Sequence, residues 1–109
     1  MDNYFFIRHN GTLVRLKFEE VVFVESLKNY CKIHTPGAVF IVLTSMKHLE
    51  QFFPAGEFIR IHKSYIVSVG YIHQLTNTQV CIAGKQCFPV GETYREKLKS
   101  FIAARLLVA

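Results

Sequence analysis

The chain has 109 residues, of which 50% are hydrophobic, and 13 Lys and Arg against 8 Asp and Glu give it a net charge of +5 at pH 7. This length predicts one domain over residues 1–109. The apolar content suffices for one core and excludes a disordered tail. The excess of positive charge favours a polyanionic partner.

A β-hairpin is predicted at the start of the chain. Asn10-Gly11 separates two runs of strand-forming residues, 4–8 and 12–18, and Asn-Gly between two such runs is a strong hairpin signal. In the second run apolar residues alternate with Arg15 and Lys17, which is typical of a strand with one buried face.

Three strands separated by turns are predicted next. Residues 21–26 have the apolar character of a strand buried on both faces, Lys28-Asn29 forms a turn, and strand alternation resumes at Tyr30. Pro36-Gly37 makes a second tight turn. The apolar run at residues 38–43 is predicted to be the most buried strand.

The second half of the chain combines a short helix with further strands. Ser45 can cap a helix that ends at Phe53, where apolar residues recur at helical spacing. Residues 58–67 are strand-like except for an interruption at His62-Lys63-Ser64. Short strands are then predicted at 71–75, at 80–83 and, after a turn at Gly84-Lys85, at 86–90.

The last segment, residues 92–107, is predicted to be an amphipathic helix that docks on the sheet. Its apolar stripe consists of Tyr94, Leu98, Phe101, Ile102 and Leu106. Many short strands, one short internal helix and one terminal helix together predict a mostly β domain.

The three cysteines predict neither a disulfide framework nor a zinc ribbon, because their number is odd and no CxxC pair occurs. Cys31 and Cys81 lie in apolar runs, which predicts buried free thiols and a reducing, cytoplasmic setting. The N-terminus lacks the pattern of a signal peptide. The longest apolar run is far shorter than the roughly 20 residues that a membrane helix needs, so no membrane association is expected.

No catalytic, metal-binding or cofactor-binding pattern is found in the sequence. A Gly-rich phosphate loop, a GxSxG elbow and an HExxH pair are absent, and the five histidines are scattered. We therefore predict no enzyme activity, no metal and no cofactor. A cysteine-dependent enzyme is kept as an alternative hypothesis, for which fast alkylation of one thiol would be the sign.

Basic residues occur at strand ends and turns, beside polar or aromatic residues that can hydrogen-bond. Lys and Arg neutralise phosphates, hydroxyl and amide groups add positioning bonds, and a few side chains read base edges. Because no long basic helix is present, this mixture favours a double-stranded DNA interface made of loops and strand ends. A second hypothesis is a protein-interaction module whose basic face docks an acidic partner.

Three blocks of sequence carry a family resemblance. They are VVFVESLKNYCKIHT at 21–35, TSMKHLE at 44–50 with FIRIHKSYIV at 58–67, and FPVGETYR at 88–95. They resemble, in order, the patterns I-x-Y-I-E-A-x-x-x-Y-x-x-I-H-T, L-x-x-L-E with F-x-R-[VI]-H-[RK]-S-[YF]-[IV]-[VI]-N, and [IL]-P-V-S-R-x-Y-[RK]. These are the patterns of the LytTR (LytR/AlgR-type) DNA-binding domain, the output domain of many bacterial response regulators.

The resemblance implies an elongated arrangement of small antiparallel β-sheets. It also implies a homodimer bound to paired promoter repeats, with loops inserted into successive major grooves. An upstream receiver domain, absent from this chain, and a sensor histidine kinase are the further partners that it implies. The family's contacts and the basic residues together give the expected DNA-binding set: Lys28, Asn29, Tyr30, Lys32, Lys47, Arg60, His62, Lys63, Ser64, Glu92, Thr93 and Arg95.

Two departures from the family pattern matter: the family often has Arg where this chain has Glu92, and commonly has Asn where it has Ser68. Glu cannot bond guanine acceptors as Arg does, but it can accept from a cytosine amino group or cap the last helix. We expect the cap, which would shift base reading to Thr93 or Arg95. Glu25, a lone carboxylate at the end of an apolar strand, is expected to be a structural hydrogen-bonding anchor.

Overall fold

The computed structural model describes residues 2–84 and 86–108. The predicted turn at Gly84-Lys85 therefore lies partly outside the described residues, because Lys85 is not among them. The described part is mostly β, which confirms the predicted class. Its strands are β1 (Tyr4–His9), β2 (Thr12–Lys17), β3 (Phe23–Leu27), β4 (Tyr30–His34), β5 (Val39–Val42), β6 (Phe58–His62), β7 (Tyr65–Ser68), β8 (Ile72–Leu75), β9 (Gln79–Ile82) and β10 (Cys87–Pro89). Its helices are α1 (Met46–Phe52), α2 (Arg95–Ala103) and short 3₁₀ helices at Phe18–Glu20, Val69–Tyr71 and Glu92–Tyr94.

The described strands form three antiparallel sheets. β1 and β2 make a hairpin, the central sheet has the order β5-β4-β3-β7-β6, and the third sheet has the order β10-β9-β8. The described residues extend over 49 × 28 × 26 Å. The small antiparallel sheets and the elongated shape agree with the expectation from the resemblance.

The β1–β2 turn confirms the hairpin prediction. Asn10 and Gly11 both have positive φ angles, 50° and 78°, and His9 pairs with Thr12. A two-residue turn of this kind matches the twist of its strands, and Asn-Gly is the pair that adopts it with least strain.

Two cores lie on opposite faces of the central sheet, because successive residues of a strand point to opposite sides. Val24 and Ile66 belong to the first core, whereas Phe23 and Val67 belong to the second. The hairpin and α1 cover the first face, and the third sheet and α2 cover part of the second. The five-stranded sheet is therefore the central layer that positions everything else.

β5 is an edge strand, so the prediction that residues 38–43 form the most buried strand was wrong. Val39 and Ile41 are 48% and 47% exposed. Only Phe40 and Val42, on the inner face of β5, pack against a core. An apolar run resembles a strand covered on both sides, but its burial depends on its place in the sheet.

The C-terminal helix is shorter than predicted, because a 3₁₀ turn at Glu92–Tyr94 precedes α2 and α2 ends at Ala103. Leu98 is buried and Phe101 packs against the second core, which confirms docking on the sheet. Leu106 lies beyond the helix and is 57% exposed, so its place in the apolar stripe was wrong. Among the described residues, no helix is long and apolar enough to cross a membrane.

Cys81 and Cys87 form a disulfide between β9 and β10, whereas Cys31 is free and buried. The two bonded residues are register partners whose Cα atoms are 4.0 Å apart. The prediction of a buried free thiol is confirmed for Cys31 and was wrong for Cys81. Cys81 lies opposite Cys87 only because of the hairpin register.

Candidate nucleic-acid interface

The turns predicted to contact DNA meet at one end of the central sheet, which we call the loop end. β3 runs towards this end and β4 leaves it, with Leu27 and Tyr30 as the last register pair. β7 also starts there, since Tyr65 pairs with Glu25. The antiparallel order therefore places the β3–β4 turn and the β6–β7 turn side by side.

The β6–β7 turn is held by hydrogen bonds to its backbone. The Ser64 amide donates to His62 Nδ1 at 3.0 Å, and the Ser26 amide donates to the Ser64 carbonyl oxygen, also at 3.0 Å. A register shift between Arg60 and His62 distorts the end of β6. Lys63 is exposed on this fixed backbone, so its cationic group is presented to solvent from a defined position.

The turn before α2 packs against the end of β6 and the β6–β7 turn. The Gly91 amide donates to the Ile61 carbonyl oxygen at 2.8 Å, and the Tyr94 amide donates to the Gly91 carbonyl oxygen at 2.9 Å. A Cβ atom at Gly91 would lie 3.1 Å from Tyr94 Cδ2 and 3.5 Å from His62 Cδ2, so the two turns approach closely. This contact brings the exposed residues Glu92, Thr93 and Arg95 beside the β6–β7 turn.

The β3–β4 turn exposes Lys28, Asn29 and Tyr30. Lys28 has a φ of +54°, a left-handed conformation that L side chains seldom adopt. A non-glycine residue in that region costs roughly 1–2 kcal/mol. Such local strain is commonly found where a side chain serves a function.

Lys47 and Lys32 are placed less directly at the loop end. β5 runs towards it, with Val42 beside Cys31, so the start of α1 and the exposed Lys47 follow at the same end. Lys32 lies within β4 opposite Glu25 and is only partly exposed. The structure thus brings together three turns and Lys47, while Lys32 is set back along the sheet.

Arg60 is predicted as a DNA contact, but its guanidinium bonds to the protein itself. Its side chain is 15% exposed and donates to the carboxylate of Glu50 and to two backbone carbonyl oxygens of the neighbouring turn. Sequence reasoning missed this network. The sequence carried a signal, because Arg60 lies in a short strand that leads into a tight turn, but the acceptors of its hydrogen bonds could not be named without the fold.

The predicted cap by Glu92 is not formed. Glu92 lies in the first turn of the 3₁₀ helix, and neither that helix nor α2 receives a capping hydrogen bond from a side chain. Glu25, in contrast, acts as the expected anchor. Its carboxylate lies 2.8 Å from His34 Nε2, and the His34 ring stacks on Phe23 at 4.0 Å between centroids.

Three small antiparallel sheets and an end lined with basic and polar turns define a β-rich domain of the nucleic-acid-binding class. The family model described as the LytTr DNA-binding domain matches residues 11–103. The chain belongs to this family, as the sequence blocks implied.

A solved structure gives independent support for the fold. It is the LytTr DNA-binding domain of a protein described as a methyl-accepting/DNA response regulator from Bacillus cereus. The match has a TM-score of 0.80 and 18% sequence identity, and it covers 94% of this chain and 98% of that chain. No curated protein sequence matches the chain.

Proposed function

We propose that this chain is the DNA-binding domain of a bacterial transcriptional regulator and that its loop end reads paired repeats in promoter DNA. The observation that carries the proposal is the meeting of three polar and basic turns at one end of a domain of this family. B-DNA's major groove is about 12 Å wide and admits a two-stranded β-ribbon. The tips of the β3–β4 and β6–β7 hairpins are elements of that size.

The proposal gives different tasks to the exposed residues of the loop end. Lys63 is the central contact, since its backbone is fixed on both sides and its side chain is free in solvent. Lys28 and Arg95 neutralise phosphates from the two flanking turns. The neighbouring hydroxyl and amide side chains supply positioning or base-edge bonds. They are the exposed Asn29, Tyr30 and Thr93 and the partly exposed Ser64.

The same proposal covers the assembly in which the domain works. Residues 1–109 act as one domain, and two copies bind paired repeats with loops in successive major grooves. An upstream receiver domain under a sensor histidine kinase controls the pairing. Since its target is chromosomal promoter DNA, the regulator works in the cytoplasm.

Selection of bound duplexes from a random pool, followed by salt titration, tests the proposal. We expect a preferred sequence, and an affinity that falls steeply with log[salt] while the preference persists. The Lys63→Ala variant should lose about 1–3 kcal/mol of binding free energy if Lys63 contacts a base. Lys17→Ala removes the same charge from the β1–β2 hairpin and serves as the matched control.

The outcomes separate the competing functions. Equal losses on selected and random duplexes would limit Lys63 to a phosphate contact, and unchanged binding to both would remove it from the site. Absence of duplex binding at low salt would contradict the proposal. That result would instead favour a module that docks an acidic protein.

A further inference from the structure

Arg60 connects three elements that meet at the loop end. Its Nη2 donates to the Lys63 carbonyl oxygen at 2.9 Å, and its Nε donates to the His62 carbonyl oxygen at 3.3 Å. Its Nη1 donates to Glu50 Oε1 on α1 at 3.2 Å. The guanidinium carbon lies 5.5 Å from the centre of the Tyr94 ring, in the turn before α2.

These contacts leave Arg60 little capacity to bind a phosphate. Only 15% of its side chain is exposed, and all three guanidinium nitrogens already donate within the protein. Reaching DNA would require leaving two turn carbonyls and a carboxylate. Lys63, which directly follows the register shift between Arg60 and His62, is exposed instead.

We propose that Arg60 is a positioning residue for DNA recognition: it holds the His62-Lys63-Ser64 backbone against α1 and against the turn of Tyr94, and so sets the direction of the Lys63 side chain. This inference rests on the proposed function. It assigns Arg60 to sequence recognition without contact to DNA, in place of the phosphate contact expected from its charge.

The chemistry requires an arginine. The guanidinium is a planar fork with five N–H donors, whereas the lysine ammonium is a compact group at the end of a flexible stem. One ammonium cannot reach two carbonyl oxygens, a carboxylate on another element and the face of an aromatic ring at once. Glu50 also bonds Lys97 of α2 at 3.4 Å, so the network joins α1, β6 and α2.

The test compares Arg60→Gln and Arg60→Lys with the wild-type domain on a selected duplex and on a random duplex. We expect both variants to bind the selected duplex at least about fivefold more weakly than wild type, which is the size of effect that the loss of a base contact produces. Their affinity for the random duplex should be nearly unchanged. The slope of log K against log[salt] should stay the same. Arg15→Gln, which removes a charge from the β1–β2 hairpin, is the control.

A second readout uses the protein without DNA. NMR order parameters of the Lys63 and Ser64 amides should fall from about 0.85 to below about 0.6 in Arg60→Gln, because the turn loses the two hydrogen bonds that the Arg60 side chain donates to it. Glu50→Ala should produce a smaller change of the same sign. It serves as the informative variant if Arg60→Gln does not fold.

Three results would overturn the inference. First, the slope of log K against log[salt] could become less steep by about 0.9 in the Arg60 variants, with equal losses of affinity on both duplexes, which would mark a phosphate contact. Arg60→Lys could restore wild-type preference, or the order parameters could remain unchanged. If the wild-type domain shows no sequence preference, the proposed function fails, while the order parameters still decide whether Arg60 holds the turn.

Discussion

The backbone amide of Ser26 donates a hydrogen bond to the carbonyl oxygen of Ser64 across 3.0 Å. The bond lies beside the register pair of Glu25 and Tyr65, where β3 leaves and β7 enters the sheet. Because it uses backbone groups only, it joins two turns without consuming a side chain that could contact DNA. Lys28 and Lys63 are therefore presented from one connected scaffold.

The left-handed backbone at Lys28 predicts a variant that gains stability and loses function. Lys28→Gly should raise the free energy of unfolding by up to about 1 kcal/mol, because glycine adopts a positive φ without the strain that a side chain adds. It should also weaken duplex binding, since the exposed cation is removed. Urea denaturation and duplex titration of the same variant measure the two effects.

Asn10→Gly is the matched control for that variant. Asn10 also has a positive φ, 50°, but lies in the β1–β2 turn, which is not one of the three turns of the loop end. The Asn10→Gly substitution should therefore leave duplex affinity unchanged. A lower free energy of unfolding in Lys28→Gly, or unaltered binding, would contradict the assignment of strain and contact to this residue.

Docking of α2 predicts that a buried apolar side chain affects DNA binding from a distance. Leu98 is 1% exposed, so Leu98→Ala should lower the free energy of unfolding by about 2–5 kcal/mol. It should also weaken duplex binding, because Arg95 and the Tyr94 turn lose their anchor. Leu107, 95% exposed, gives the control Leu107→Ala, with no effect expected on either measurement. A stable Leu98→Ala domain would show that α2 docks weakly.

Local signals account for the parts of the fold that the sequence predicted well. Asn10-Gly11 requires positive φ angles, and both residues have them. Ser45 was predicted to cap α1, and its hydroxyl accepts from the His48 amide at 3.0 Å. Each of these features depends on residues that are neighbours in the chain.

Features that depend on strand order or register could not be predicted. Val39 is exposed because it lies on the edge strand β5, to which the second core does not extend. Cys87 meets Cys81 through the β9–β10 register, and Arg60 finds acceptors that a turn and another helix supply. For the site, residue types and family pattern predicted which turns matter, but not that Arg60 bonds inward.

The Cys81–Cys87 disulfide predicts a modest dependence of stability on reductant. The bond spans a sequence separation of 6, and a loop that short restricts the unfolded chain little. By the loop-entropy relation, opening it should lower the free energy of unfolding by about 2 kcal/mol. Urea denaturation with and without a thiol reductant measures the change. Cys87→Ser should show no reductant effect, and a persistent effect in that variant would contradict the assignment.

Burial predicts that Cys31 is unreactive in the folded domain. The thiol is buried and its Sγ donates to the Thr44 carbonyl oxygen at 3.5 Å. Burial raises the pKa of Cys31 above its ordinary value of 9.0, and the Arg60 charge lowers it in part. Alkylation at neutral pH should therefore be slow in the native state and fast in urea. Fast native labelling would favour the cysteine-dependent enzyme instead.

The same pKa direction fixes how stability depends on pH. Well below pH 9.0 the Cys31 thiol is protonated in both states, so its contribution to stability is constant. As the pH rises past 9.0 the thiol of the unfolded chain ionises first, and the free energy of unfolding falls until the pH has passed the raised pKa of the folded state. Comparing wild type with Cys31→Ala between about pH 7 and about pH 10 isolates this effect from lysine titration. The stability difference should shift in favour of the variant only at alkaline pH. A difference that already changes near neutral pH would mean that the thiol ionises readily in the fold.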